Sequence, residues 1–367
     1  MSALRYRLLD AALGRGLLPD PVLRAGSWLG AGARERREAR GGVAAQEERL
    51  SALVERMSSG PIAEVVEAAN AQHYELPAEF LGLILGPRRK YSGCLWEPGT
   101  SSLAEAEEAM LELTCRHAGI VDGQRILDLG CGWGSLSLWL AERYPGCEIV
   151  GVSNSHGQRR FIESRIAALG LTNLEIVTAD VNTFQPEGRF DRVVSVEMFE
   201  HMRNWDELLR RISTWLEPDG RLLVHVFSHR TLSYLFESTW AAERFFTAGL
   251  MPSHDLMLRF GEHMRVTDRW AVPGTHYART LDAWLHNLDA NRAEAEAILR
   301  ESGRSPAEAR RLIGTWRLFI LSTREIWGYR GGDRWLVSHY LLAPQATGGA
   351  SGEPTTAALA SDLVPAA

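Results

Sequence analysis

The strongest constraint on this chain lies between residues 120 and 227, where short apolar runs alternate with helix-patterned stretches. RILDLGCGWG precedes the helical pattern SLSLWLAERY. CEIVGVSNS precedes GQRRFIESRIAALG. LEIVTADV and DRVVSVEMF follow, then the helical WDELLRRISTWLEP and a fifth apolar run, GRLLVHVF. Strand-length runs separated by helices of about ten to fifteen residues predict a mostly parallel sheet covered on both faces by helices. Each run ends in polar or glycine residues, so a ligand crevice is expected at the strand ends.

The flanks read differently. Residues 1 to about 60 carry a charged helical pattern, interrupted at Gly41-Gly42 and punctuated by SSGP at 58–61. IAEVVEAANAQHYELPAEFLGLIL reads as a helical stretch broken at Pro77. SSLAEAEEAMLELTCRHAGI is a helix with Ser102 as cap and Glu105 three residues later. After residue 228 the alternation stops. HRTLSYLFESTWAAERFFTAGLMPSHDLM reads as an irregular, partly helical lid and HMRVTDRWAVPG as a strand. DAWLHNLDANRAEAEAILRESG and SPAEARRLIGTWRLFILSTREIWGY are helical, and RWLVSHYLLAP is a last strand, antiparallel at the sheet edge. Residues 345–367, rich in glycine and small polar side chains, form a flexible tail.

Composition narrows the class. With 45% hydrophobic residues among 367, a sizeable core is available. A net charge of -6 without a Lys/Arg block gives no reason for a nucleic-acid partner. No apolar run of about 18 residues occurs, so no stable membrane insertion is expected, and the N-terminus does not read as a signal peptide. Cys94, Cys115, Cys131 and Cys147 lack CxxC or zinc spacing. They read as reduced thiols of a cytoplasmic protein, and no metal is expected. A homodimer is compatible with these features.

The first loop, Asp128-x-Gly130-x-Gly132-x-Gly134, matches neither the dinucleotide pattern nor a P-loop. A tight structural turn is its rival reading. The second strand ends in Ser153 and Asn154 with Gln158 nearby, and lacks the ribose-binding acid of a nicotinamide site. The third ends at Asp180 and Val181, where Asp180 suits an adenine amino group. Together these fit a nucleoside cofactor without a pyrophosphate, and S-adenosylmethionine is the obvious one, with Asp128 near its ammonium. At the fourth strand's end stand Glu197, Glu200 and His201, ionisable groups that are expensive at a sheet lip unless paired or used. Methyl transfer to an amine requires a neutral nitrogen about 3 Å from the methyl, exclusion of water and management of one proton. His201, with a reference pKa of about 6.5, suits the proton, and the two glutamates suit an ammonium. Capping of the sheet lip and of the next helix is the plainer alternative for Glu197 and His201. Eight of the 12 tryptophans lie beyond residue 200. Trp240, Phe245, Phe246, Trp270, Trp316, Trp327 and Tyr329 are read either as an aromatic wall for a cationic amine or as core. The arginines at 34, 36, 37 and 40 and RRK at 88–90 read as solvated faces.

LDLGCGWGSLSL, YSGCLW, SVEMFEHM and FTAGLMPS resemble the cyclopropane-fatty-acid synthase superfamily of methyltransferases, most closely its coclaurine N-methyltransferase-like branch, in order over residues 70–344. The resemblance implies an α/β, Rossmann-like class I methyltransferase with an N-terminal helical segment and a helical insertion over the substrate site. Residues 1–95 would form the cap and 96–344 the methyltransferase domain, with core 120–227, substrate-covering insertions 228–330 and final strand 335–344. The resemblance puts Tyr91 and Ser92 at the methionine part of the cofactor, Gly130 and Gly132 along it, and Ser153, Asn154 and Gln158 around the ribose. His225, Phe246, Tyr277, Trp327 and Tyr329 are expected at the substrate. In the lipid-cyclopropanating branch a bicarbonate base is held by a cysteine, a glutamate, a histidine and a tyrosine. This chain has Gly93, Glu200, His225 and Tyr277 there. Glu197 stands where that branch has glycine and the amine-methylating branch has glutamate. The resemblance therefore implies methylation of a small amine, with an unsaturated lipid chain as the alternative acceptor and a catalytically silent binding protein as the alternative from another class.

Overall fold

A computed structural model describes residues 12–13, 17–64, 76–236, 240–245 and 249–345. The alternation of the sequence becomes a seven-stranded sheet. Its parallel part is β1 (Arg125–Leu129), β2 (Glu148–Ser153), β3 (Leu174–Thr178), β4 (Phe190–Val196) and β5 (Leu216–His229), joined by the antiparallel β8 (Met264–Pro273) and β9 (Trp335–Pro344). The order is β3-β2-β1-β4-β5-β9-β8. From β1 the chain winds outward through β2 and β3, then crosses back to β4, so β1 and β4 flank the switch point where a crevice opens. The last strand is antiparallel as the sequence suggests, but it is not the edge. β9 lies between β5 and β8 and is buried along nearly its whole length, whereas β8 alternates with exposed residues, as an edge strand tolerates.

Helices flank the sheet. Numbered in chain order, they begin with α1 (Asp20–Glu38), α2 (Gly42–Arg56), the short α3 (Ala78–Gly82) and α4 (Leu103–Ala118). The core crossovers are α5 (Ser135–Arg143), α6 (His156–Leu169) and α7 (Trp205–Trp215). Then come α8 (Trp240–Phe245), α9 (Gly274–Ala290), α10 (Arg292–Glu301) and α11 (Pro306–Trp327). Gly41 and Gly42, at φ 89° and 73°, make the break between α1 and α2 that side chains with a Cβ rarely allow. Ser102 accepts from the Glu105 amide to start α4, and a full Ser305/Glu308 capping box with Pro306 behind it starts α11.

The reading of residues 62–85 as a helical stretch broken at Pro77 does not hold for 62–64. The Ile62 carbonyl there accepts from the Arg203 and Asn204 amides, at 2.6 and 3.4 Å. The remainder of that stretch to residue 75 lies outside the described residues, as do Phe246 and the tail from 346. The described residues of 229–257 are irregular as expected, with a two-residue pairing of β6 (Tyr234–Leu235) and β7 (Leu250–Met251) and the short α8. The first and last helices meet: both Asp20 oxygens accept from Arg317, at 2.5 and 2.8 Å, and Arg24 donates to Glu325 at 2.7 Å. Among the described residues no helix is long and apolar enough to cross a membrane.

Candidate active site

The glycine loop turns directly off β1. Gly130, Gly132 and Gly134 all have positive φ, but they serve different ends. A Cβ on Gly130 would sit 2.9 Å from Met198 Sδ, and one on Gly134 would sit 2.8 Å from Ile162. These two glycines admit neighbouring side chains: Met198 and Ile162 occupy the space that a Cβ would take. Gly132, at φ 54°, would point a Cβ into open space. Asp128 lies on β1 just before the loop. It is 1% exposed and accepts from Ser137 Oγ at 2.6 Å, which ties the loop to α5, while burial pushes its carboxyl up to about 6. Ser153 Oγ donates to Gln158 Oε1 at 2.6 Å, so these two brace each other at the end of β2, beside the half-buried Asn154. Asp180 accepts from the Asn182 amide at 2.8 Å beyond β3, next to half-buried Val181.

Around this loop four buried polar atoms lack a protein partner: Trp133 Nε1, Ser135 Oγ, Gln158 Nε2 and Thr178 Oγ1. Buried polar groups are normally satisfied, so Gln158 Nε2 and Thr178 Oγ1, at the ends of β2 and β3, fit a polar ligand with hydroxyl and amino groups, whereas Trp133 and Ser135 line a separate cavity with Arg88, Arg89 and Phe161. An adenosyl amino acid has that set.

Across the switch point, β4 ends at Val196 and the backbone turns sharply. Glu197 sits at φ 48°, a left-handed conformation that costs a residue with a Cβ on the order of 1–3 kcal/mol. Its amide donates to the His225 carbonyl at 2.8 Å. Tyr277 Oη donates to its Oε2 at 2.8 Å, the Gly93 amide to its Oε1 at 3.4 Å, and His225 Nε2 stands 3.6 Å from Oε1. Burial pushes its carboxyl up to about 7, against the opposing pull of Lys90 and the Tyr277 bond. Glu200 follows on the three-residue 3-10 turn Phe199–His201. It is 1% exposed, and neither carboxyl oxygen has a hydrogen-bond partner. Burial, and then the charge of Glu197, hold it well above the usual carboxylate range.

Glu197, Glu200 and His201 share the wall of one cavity of about 660 Å³. Tyr91, Phe227, Trp240, Tyr277, Trp284 and Trp327 form much of its aromatic side, with Tyr277 and Trp327 stacked at 4.5 Å. α1 contributes Ser27, Gly30, Ala31 and Ala33, and Arg34 and Arg37 come from the same helix. Tyr91, expected at the cofactor, stands in this cavity and stacks on Trp284 at 5.6 Å.

Other expectations move. His225 is 0% exposed and stands behind Glu197, not on the cavity wall. Tyr329 is buried against Trp335 and so close to Gly32 that a Cβ there would meet its hydroxyl at 2.7 Å; it too is off the wall. Phe245 and Trp316 are core, packed with Phe319. Trp270 lies on edge strand β8, stacked on His117. The basic run 88–90 is not a solvated face. Lys90 is 2% exposed; its Nζ donates to Gly93 O at 2.9 Å and to Ser92 Oγ, and its amide donates to Glu107. Arg88 pairs with Glu108 and Glu142, and Arg89 covers the Phe161 ring. Nothing in the spacing of RRK marks Lys90 as buried; only its nearness to YSG hints at the site. Arg34, likewise read as solvated, lies over Tyr234 and pairs with Glu38.

The positions that resemble a bicarbonate site have a different occupant. Gly93, His225 and Tyr277 surround the carboxylate of Glu197. A Cβ at position 93 would lie 3.0 Å from the Tyr277 ring, leaving little room for a cysteine. The neighbouring Cys94 turns toward the Ser92 carbonyl, and burial pushes its thiol up to about 12.

Comparison with known proteins converges on one family. The model of the mycolic acid cyclopropane synthetase family matches residues 64–306. The chain is 40% identical to (S)-coclaurine N-methyltransferase of Thalictrum flavum subsp. glaucum over 288 residues, covering 77% of this chain and 80% of that protein. To (S)-coclaurine N-methyltransferase of Papaver somniferum it is 36% identical over 336 residues, covering 89% and 95%. The crystal structure of coclaurine N-methyltransferase bound to N-methylheliamine and SAH superposes with a TM-score of 0.87 at 34% identity, over 91% of this chain and 98% of that one.

Proposed function

This chain belongs to the mycolic acid cyclopropane synthetase family, in its coclaurine N-methyltransferase-like branch, and from that premise we propose that its acceptor is a small aromatic amine seated against Glu197, Glu200 and His201. It is an S-adenosylmethionine-dependent N-methyltransferase with a Rossmann-like class I fold. The observation that carries the proposal is Glu200: two buried carboxyl oxygens without a partner, on the wall of an aromatic cavity. An amine or ammonium N–H supplies what those oxygens lack, and aromatic faces suit its ring and its charge.

Bound S-adenosylmethionine supplies an electrophilic sulfonium methyl. Gly132, Ser153, Asn154, Gln158, Asp180 and Val181 would hold it, with Ser92 fixed by Lys90 and Tyr91 between the two ligands. The aromatic walls position the amine and exclude water. Glu200 holds an N–H of the acceptor. Glu197, poised near neutrality, takes the proton that must leave, and His201 offers a second polar contact on the same wall. The carboxylate of Glu197 fills the place of a bicarbonate base, which supports an amine over an unsaturated lipid chain. The four unpaired, buried cysteines support a cytoplasmic setting.

The test uses purified protein, S-adenosylmethionine and (S)-coclaurine, the amine named for the plant relatives. The expected product is heavier by one methylene, with fragmentation placing the carbon on nitrogen. Glu200→Gln should lower turnover by roughly 10²-fold or more with cofactor affinity nearly intact. A bicarbonate requirement together with a cyclopropane product from an unsaturated lipid would overturn the proposal.

A further inference from the structure

Three imidazoles, two of them fully buried, lie in line behind Glu197, and methyl transfer itself does not use them. His225 on β5 and His339 on β9 are direct partners across the sheet, and both are 0% exposed. His225 Nδ1 is 2.8 Å from His339 Nε2, and His339 Nδ1 is 2.8 Å from Nδ1 of His117 on α4. His117 is half-buried and stacks at 3.9 Å on Trp270 of the edge strand β8. At the inner end, His225 Nε2 has no hydrogen-bond partner and faces Glu197 Oε1 at 3.6 Å. The line therefore begins at the carboxylate of the acceptor site and ends at the rim of the sheet.

We propose that His225, His339 and His117 are a proton exit line that returns Glu197 to its basic form after each turnover. The proposal rests on N-methylation at Glu197. A secondary amine that gains a C–N bond, as the donor's C–S bond breaks, retains its N–H as a tertiary ammonium, so one proton per turnover must leave the acceptor site. That proton passes from nitrogen to Glu197, then from Oε1 to His225 Nε2. The proton on His225 Nδ1 moves to His339 Nε2, and the one on His339 Nδ1 moves to His117 Nδ1. His117 gives its Nε2 proton to solvent. Each imidazole gains one proton and loses one, ending neutral with its tautomer reversed, and ring rotation restores the starting state.

The surroundings favour conduction over storage. Burial holds His225 and His339 well below the usual imidazole range, and Lys90 pushes both further down. Glu197, Glu200, Lys90, Glu107, Cys94, Tyr91 and Tyr277 are the other ionisable groups gathered at the inner end. A proton on the line is thus in transit, with no site that keeps it. A buried polar line of this kind is also costly unless every member is bonded, and only the end facing Glu197 is open.

The experiment has two arms. In the first, ¹⁵N spectra of histidine-labelled protein should show nitrogen–nitrogen couplings across both imidazole hydrogen bonds, lost in a folded His339→Gln variant. In the second, turnover of (S)-coclaurine is followed at low buffer concentration. His117→Ala should slow it about 10-fold, and added imidazole should restore most of the rate, because a soluble base replaces the missing outlet. Trp270→Leu removes the stacking partner but keeps the line, and should leave turnover unchanged. Absent couplings, or a His117→Ala defect that imidazole does not relieve, would overturn the line. If the wild-type protein methylates no amine, the acceptor reading fails instead, and the couplings alone decide whether the line exists.

Discussion

Glu197 stands in a backbone conformation that glycine takes at little cost, and the energy stored there suits the role proposed for its side chain. Replacing it separates stability from function. Glu197→Gly relieves the left-handed strain and removes a desolvated carboxyl. Its Tm, read by calorimetry, should rise by a few degrees while KM for the amine rises and turnover falls. The same carboxyl sets a pH dependence. Its value of about 7 means that the proton-accepting form appears as pH climbs through neutrality, so turnover should rise across that range, and Glu197→Gln should abolish this inflection. At the cofactor end, Gly132→Val should abolish S-adenosylmethionine binding in calorimetric titration without unfolding the protein, since its side chain enters space that the fold leaves open. Glu197, Glu200 and His201 were legible because ionisable residues at the end of an apolar run are rare and costly. The burial of Lys90 was not. It follows from an extended segment threaded beneath Tyr277 and Glu107, a contact between distant parts of the chain that local pattern does not encode.

At the scale of elements, periodicity revealed the parallel strands because each is a short run bounded by turns and followed by a helix. It did not order β8 and β9. Their places depend on which one finds a partner on both sides, and burial along β9, not its composition alone, decides that. Nor did periodicity assign α1 a role. Its stripe of Ser27, Gly30, Ala31 and Ala33 reads as a weakly apolar surface, yet it roofs the acceptor cavity because α11 holds it there through Asp20 and Arg317. Gly30 is the sharpest test. A Cβ there meets nothing within 4 Å, so Gly30→Leu should fill the cavity. KM for the amine should rise about 10-fold or more while cofactor affinity holds. The helix itself should gain roughly 0.5–1 kcal/mol from losing a mid-helix glycine, read as a higher urea midpoint.

For the whole molecule, the site sets a pH trend in stability. Glu197, Glu200 and Asp128 all keep their protons in the fold above the pH at which the unfolded chain sheds them, because each is buried. Between about pH 4.5 and 7 these carboxyls therefore contribute stability that is lost as pH rises, by about 1.4 kcal/mol per pH unit for each proton held, while His225, His229, His254 and His339, which burial keeps neutral, pull the other way. Removing one carboxyl isolates its share: the urea midpoint of ligand-free Glu200→Gln should gain on that of the wild-type protein as pH climbs from 5.5 to 7. The pairing of the first and last helices has a consequence of another kind, in the order of manufacture. Asp20 and Arg317 are 297 positions apart, so α1 emerges from the ribosome long before the helix that will hold it. The strands carrying the cofactor loop are complete by residue 229, nearly eighty residues before α11 begins. Because chains are made from the N-terminus and fold in parts as they emerge, the growing polypeptide can take up its cofactor before it has a chamber for any acceptor. A translation product that stops after β5 would sequester S-adenosylmethionine and methylate nothing.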